Sequence, residues 1–171
     1  PTPDHSPAPT GRQLITNDDL ETGDASGWIL SDPSVNGGSV AVTTEDSNGA
    51  GTNSVKITSG TLNNPSLKQE RFAVGTISDG QTISITFDYN AIALADGAIF
   101  QVIAISEGPP VTNQVTNVAV GPSSGWVTGE TISYTTGAVT EGISVEMVVV
   151  CGGAGTCNGE VFIDNVSVTI D

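Results

Sequence analysis

Residues 81–90 read QTISITFDYN, and the alternation in this stretch decides the fold. Ile83, Ile85, Phe87 and Tyr89 fall on one face of an extended chain, and Thr82, Ser84, Thr86, Asp88 and Asn90 on the other. A period of two, with β-branched and aromatic residues on the apolar side, marks a strand buried on one face. Runs of the same character recur outward from it, at 39–43, 54–58, 67–74, 98–106, 115–120, 130–135, 143–150 and 160–170. Gly, Asn, Asp and Ser punctuate the intervals between them. No stretch carries the 3.6-residue period of an amphipathic helix. About nine strands without helices between them predict an all-β fold, a two-sheet antiparallel β-sandwich or jelly roll with no significant helix.

Composition agrees. Val, Ile and Thr dominate the apolar and β-branched content, Gly occurs 21 times, and Met once. The 171 residues suffice for one domain with a tail, and a domain of that size needs no disulfide or metal merely to fold. Residues 1–11, PTPDHSPAPTG, carry four prolines and read as an extended linker joining residues 12–171 to something before it, another domain or a lipid anchor.

Four basic residues against 19 acidic ones give a formal net charge of −15. Nucleic acid and membrane partners are disfavoured, since both need basic patches, and no apolar run is long enough to insert this segment into a membrane. The same charge favours a neutral ligand over an anionic one, and it offers many oxygens to a hard cation. Cys151 and Cys157 flank a Gly-rich spacer, CGGAGTC, that can close as a short disulfide loop; two free buried thiols are the alternative. A bridge would place the protein outside the reducing cytoplasm, secreted, at the cell surface or in a periplasm. Metal binding by the cysteines is disfavoured, because His5, the single histidine, lies in the tail.

Two terminal segments carry a further pattern. The opening LITNDDLETGDASGW presents Leu14, Asn17, Asp19, Leu20, Glu21, Gly23, Gly27 and Trp28 in order, and the closing FIDNVSV presents Ile163, Asp164, Asn165, Val166 and Val168. Between them, QTISITFDY and SGWVTGETISYT supply two further strand motifs. Together these resemble the carbohydrate-binding modules of the family 4/9/22 type, over nearly all of 14–170. Asp18–Asp19–Leu20 stands where those modules commonly have Gly–Asp–Phe.

The resemblance implies a non-catalytic β-sandwich that holds a polysaccharide or oligosaccharide, with a neutral β-glucan, xylan or mannan as the expected class. It also implies a monomeric module working beside other domains of a larger protein, an enzyme or a surface glycan-capture protein. It further implies a structural Ca²⁺ pinning the first strand to the last. Asp164 would supply carboxylate oxygens, Asp19 or Glu21 would add side-chain or carbonyl oxygen, and loop carbonyls near Gly51 would complete the shell. The alternative for these acids is turn capping without metal.

Sugar contacts are expected from stacking platforms and from hydroxyl-reading side chains. Aromatic residues are few, at 5%; Trp126, Tyr89 and Tyr134 are the candidate platforms. Asp88, on the polar face of 81–90, would read hydroxyls, joined by Gln101 and Glu146 if their strands are neighbours in the same sheet. The lone tail histidine leaves no Ser–His–Asp or Cys–His arrangement, and no Gly-rich phosphate loop precedes a helix. The chain therefore reads as a binder rather than an enzyme. A calcium-stiffened spacer or adhesion domain without a sugar site is the competing expectation, favoured by the scarcity of aromatics.

Overall fold

The computed structural model describes residues 11–31, 37–108, 114–151 and 155–171. The Pro-rich tail through Thr10, including His5, lies outside the described residues. Ten strands form among those described, and no helix. They are β1 (Ile29–Ser31), β2 (Ser39–Thr43), β3 (Ser54–Thr58), β4 (Ser66–Phe72) and β5 (Thr82–Ala95), followed by β6 (Ala98–Glu107), β7 (Gln114–Val120), β8 (Val127–Thr135), β9 (Gly142–Cys151) and β10 (Asn158–Ile170). One five-stranded sheet has the order β1-β4-β9-β6-β7 and the other β2-β3-β10-β5-β8. All pairings are antiparallel. The two sheets stack into the expected sandwich.

The alternation in β5 holds. Ile83, Ile85 and Phe87 are fully buried and Tyr89 nearly so. Phe100 of β6 meets them from the opposite sheet, edge-on to Phe87 with ring centroids 6.2 Å apart and tilted against Tyr89 at 5.9 Å. Val145, Met147 and Val149 of β9 complete the layer, together with Val161, Ile163, Val166 and Val168 of β10.

Simple alternation along FIDNVSV would put Phe162, Asp164, Val166 and Val168 on one face, and the phase of β10 departs from it. A register shift between Asp164 and Ser167, with Asn165 at φ 48°, inserts an extra residue there. A bulge of this kind flips every later side chain. Val161 and Ile163 before it, and Val166 and Val168 after it, therefore all reach the core, while Phe162 and Asp164 turn outward. Lys56 Nζ lies 5.1 Å from the centroid of the outward Phe162 ring, close enough for a cation–π contact.

The opening segment docks where β3 ends. β3 pairs with β10 only from Glu160 to Ile163. Beyond the bulge, the N–H of Val166 donates to the carbonyl of Asp18 at 2.8 Å and that of Leu14 to Val168 at 2.8 Å. Trp28, buried, donates its indole N–H to the carbonyl of Asn17 at 2.9 Å. The motif LITNDDLETGDASGW is thus a folded brace held to the last strand.

Cys151 and Cys157 form a disulfide at a Cα separation of 5.7 Å, linking the end of β9 to the segment before β10. Both cysteines are buried. Closing so short a loop contributes about 2–3 kcal/mol in the chain-entropy model. The Cys151→Ala/Cys157→Ala variant is expected to lose about that much in urea unfolding with the slope unchanged.

Candidate functional site

The two outer faces of the sandwich differ in access. On the β2-β3-β10-β5-β8 sheet, the loop at 44–53 folds across the middle. Asn48 is its main tie. Its main-chain N–H donates to Asp164 Oδ2 at 2.8 Å, and its side-chain amide donates to Asp88 Oδ2 at 2.9 Å and to Thr128 Oγ1 at 2.8 Å. Asn90 Nδ2 donates to Asp46 Oδ2 at 3.1 Å, and Ser54 Oγ donates to the Asp46 carbonyl at 2.5 Å. Lys56 Nζ bonds Glu45 at 2.9 Å and Glu160 at 3.1 Å.

Beneath this loop lies an acidic pair in register, Asp164 opposite Asp88. Both side chains are buried. Asp88 accepts from Gly129 N at 2.8 Å and from Asn165 Nδ2 at 2.9 Å, and Asp164 accepts from Asn165 N at 2.7 Å. Burial pushes the Asp164 carboxyl above the ordinary carboxylate range. The N–H groups of Asn48 and Asn165 oppose that rise, and the like charges of Glu21 and Asp88 add to it. Among the described residues, no Lys or Arg forms an ion pair with Asp164 or Asp88.

Glu21 reaches the far end of the same loop. Its carboxylate accepts main-chain N–H groups from Asn53 at 2.8 Å and Thr52 at 2.9 Å, which hold its pKa below the usual value. Gly51 is pressed against it: a Cβ there would stand 2.5 Å from Glu21 Oε1.

On the outer face of the β1-β4-β9-β6-β7 sheet, Ser66, Ser144 and Val148 are buried, whereas Lys68, Glu146, Gln101 and Ile103 are half-buried and Asn117 is exposed. Register places Lys68, Glu146, Ile103 and Asn117 in one row across β4, β9, β6 and β7, and Ser66, Val148, Gln101 and Ala119 in the next. Rows of one face lie about 6.7 Å apart along a strand, and neighbouring strands about 4.8 Å apart. The polar groups bond among themselves. Lys68 Nζ meets Glu70 at 2.7 Å, and Asn117 Nδ2 donates to Gln101 Oε1 at 3.3 Å. Ile99, 43% exposed, and the half-buried Ile103 and Val150 give this face an aliphatic floor. Phe72 of β4 packs against the core instead.

No protein-family model matches the sequence, and no curated protein matches it. Solved structures do match. A family 61 carbohydrate-binding module in complex with β-1,4-galactotriose superposes with a TM-score of 0.59 at 16% identity, covering 94% of this chain and 100% of that one. The xylan-binding CBM22-1 domain of Paenibacillus barcinonensis Xyn10C gives 0.61 at 14% identity, with 96% of each chain covered. The fold is that of the carbohydrate-binding β-sandwiches. The same sandwich also forms part of larger chains. In the enzymatically active domain of tailspike protein 4 from bacteriophage CBA120, the TM-score is 0.72 at 10% identity over 93% of this chain, which spans 21% of that one.

Within this sandwich, the residues expected to touch sugar do not form one surface. Gln101 and Glu146 lie on the open face, whereas Asp88 lies on the opposite sheet beneath the 44–53 loop. The reason is the Asp96–Gly97 turn between β5 and β6, with φ of 55° and 90°. A dipeptide of this kind commonly closes a hairpin, but here it carries the chain from one sheet to the other. Tyr89 and Tyr134 are each only 6% exposed and face the core, so neither ring offers a free surface for stacking. The Tyr134 hydroxyl is buried near Ser106 Oγ without a hydrogen bond of ordinary geometry, and burial pushes it far above the usual phenol value. Trp126 is half-buried at the entry to β8, also on the covered sheet, and its indole N–H is enclosed without an acceptor among the described residues.

Of the expected calcium ligands, Glu21 and Gly51 meet at one end of the 44–53 loop, and Asp164 lies under its middle. Asp19 is exposed and caps a turn, accepting the Glu21 N–H at 3.1 Å. It is the carbonyl of the neighbouring Asp18 that reaches the last strand. Among the described residues, no three acidic, His or Cys side chains converge on a point that could hold a metal. A cation there would need main-chain carbonyls and water in its shell, which Ca²⁺ accepts. Sequence reasoning missed Lys68 and Asn117 on the open face, and Asn48 as the tie between loop and sheet. The alternation in β4 carries a signal for Lys68, but only strand order shows what it faces.

Proposed function

We propose that this chain is a non-catalytic module that holds a polysaccharide on the open outer face of the β1-β4-β9-β6-β7 sheet. The observation that carries the reading is the contrast between the faces. One is roofed by the 44–53 loop, while the other presents Lys68, Glu146, Gln101 and Asn117 in register above aliphatic side chains. Amides donate to and accept from adjacent hydroxyls, a carboxylate accepts from them, and the aliphatic floor suits the apolar face of a sugar ring. The shared fold supports the reading, the net charge of −15 favours a neutral glycan, and the resemblance to family 4/9/22-type modules suggests a β-glucan, xylan or mannan. Such a module serves an attached enzyme or a surface glycan-capture protein outside the cytoplasm, in keeping with its disulfide. Affinity electrophoresis against laminarin, mixed-linkage glucan, xylan, mannan and alginate tests this. Retardation by a neutral glycan supports it, and migration unaffected by every glycan contradicts it.

The open face lacks an aromatic platform among its described residues, and this favours a second reading, a spacer or adhesion domain without a sugar site. Unaffected migration throughout the panel would select it.

We further propose that a structural Ca²⁺ binds where the opening brace, the 44–53 loop and the last strand meet. Glu21 and Asp164 would supply carboxylate oxygen and Gly51 its carbonyl. The buried, like-charged surroundings of Asp164 support this, since a cation would offset them. Chelation is then expected to lower Tm by several degrees, and added Ca²⁺ to restore it. The Glu21→Gln variant should respond less to both. A melting curve indifferent to calcium and chelator would remove the ion from the account.

A further inference from the structure

Asn–Gly is the dipeptide in which a side-chain amide is most easily attacked by the following main-chain nitrogen, because glycine offers no Cβ to hinder the approach. The chain contains it at Asn36, Asn48 and Asn158; Asn36 lies outside the described residues. The other two differ in the state of the attacking nitrogen. Gly159 N donates to Ser59 Oγ at 2.7 Å and its residue is buried within β10. Gly49 is exposed, at φ 76°, and its N–H makes no hydrogen bond among the described residues.

We propose that Asn48 is a site of spontaneous deamidation, and that its product releases the 44–53 loop from the sheet. Gly49 N gives its proton to water and bonds to Asn48 Cγ. The Cγ–Nδ2 bond breaks, and Nδ2 takes up a proton and leaves as ammonia, so that a cyclic imide remains. Water then opens the imide. Attack at Cγ yields aspartate at position 48, and attack at the main-chain carbonyl carbon yields isoaspartate. Nothing is oxidised or reduced, and water is the sole co-reactant.

The consequence follows from what Asn48 holds. Its amide is the donor to both Asp88 and Thr128, and either product lacks it. The new carboxylate would stand against Asp88 Oδ2, where the amide nitrogen now sits at 2.9 Å, next to the buried Asp164. Like charges at hydrogen-bond distance in a buried site repel strongly. Isoaspartate also lengthens the main chain just after the N–H that Asp164 accepts. The loop that roofs one face is therefore fastened by a side chain with a finite chemical lifetime. This inference is independent of the sugar-binding reading.

The test holds the full chain in mildly alkaline buffer for days, with and without chelator, and maps aspartate and isoaspartate by peptide mass spectrometry and isoaspartyl methylation. Conversion is expected at Asn48 and not at Asn158, with a Tm several degrees lower in the converted fraction. Asn48→Asp should reproduce the lower Tm without incubation. Gly49→Ala meets no neighbouring atom within 4 Å but carries left-handed backbone strain at φ 76°, about 1–2 kcal/mol; it should fold with a lowered Tm of its own yet lose the reaction at Asn48. An intact Asn48 after incubation, faster conversion at Asn158, or a converted fraction melting with the untreated protein would each overturn the proposal.

Discussion

Replacing Phe87 by alanine is expected to destabilise the protein by about 3–5 kcal/mol, the range for emptying a buried phenylalanine site. The ring is fully buried in β5 and spans the gap between the sheets. It meets Phe100 edge-on at 6.2 Å and Tyr89 at 5.8 Å, so its removal also strips two aromatic contacts. At about 2–4 °C per kcal/mol for a domain this size, Tm should fall by about 10 °C. Phe87→Leu retains most of the volume and should cost far less. Urea unfolding of both variants checks the account. Equal losses would mean that ring packing across the sandwich is not what holds the sheets together.

The second large effect concerns the open face. The Gln101→Ala/Glu146→Ala variant should bind the recognised glycan about ten- to a hundredfold more weakly. Each lost hydrogen bond contributes roughly 0.5–1.5 kcal/mol or more if the acceptor is charged, and 1.4 kcal/mol is a factor of ten. Both side chains point outward and are only partly buried, so stability should hardly change. Thr86→Ala/Thr131→Ala provides the control, because that hydroxyl pair bonds at 2.9 Å on the opposite sheet. Isothermal titration of the two double variants separates the faces. Equal loss from both would point to a general disturbance of the fold.

The sandwich was legible because its strands alternate. The ranges 39–43 and 54–58 coincide with β2 and β3, and the apolar face of 81–90 is the buried face of β5. Two kinds of local event hid the rest. The bulge at Asn165 shifts the phase of β10 by one residue, and alternation on either side of it cannot show that. The Asp96–Gly97 turn joins different sheets, so Gln101 and Asp88, which could act together only as neighbours in one sheet, lie on two. β1, at three residues, is too short to show any period. The chain meeting of Glu21, the 44–53 loop and Asp164 could be anticipated through resemblance, because the terminal motifs are distinctive. The role of Asn48 could not, since it depends on partners 40 and 116 residues away.

The central claim is that the glycan lies on the β1-β4-β9-β6-β7 face, and amide chemical-shift mapping during titration with the retarding glycan tests it most directly. The account predicts that the perturbed amides cluster on β4, β9, β6 and β7 around Lys68, Glu146, Gln101 and Asn117. Perturbations centred on β5, β8 and the 44–53 loop would contradict it.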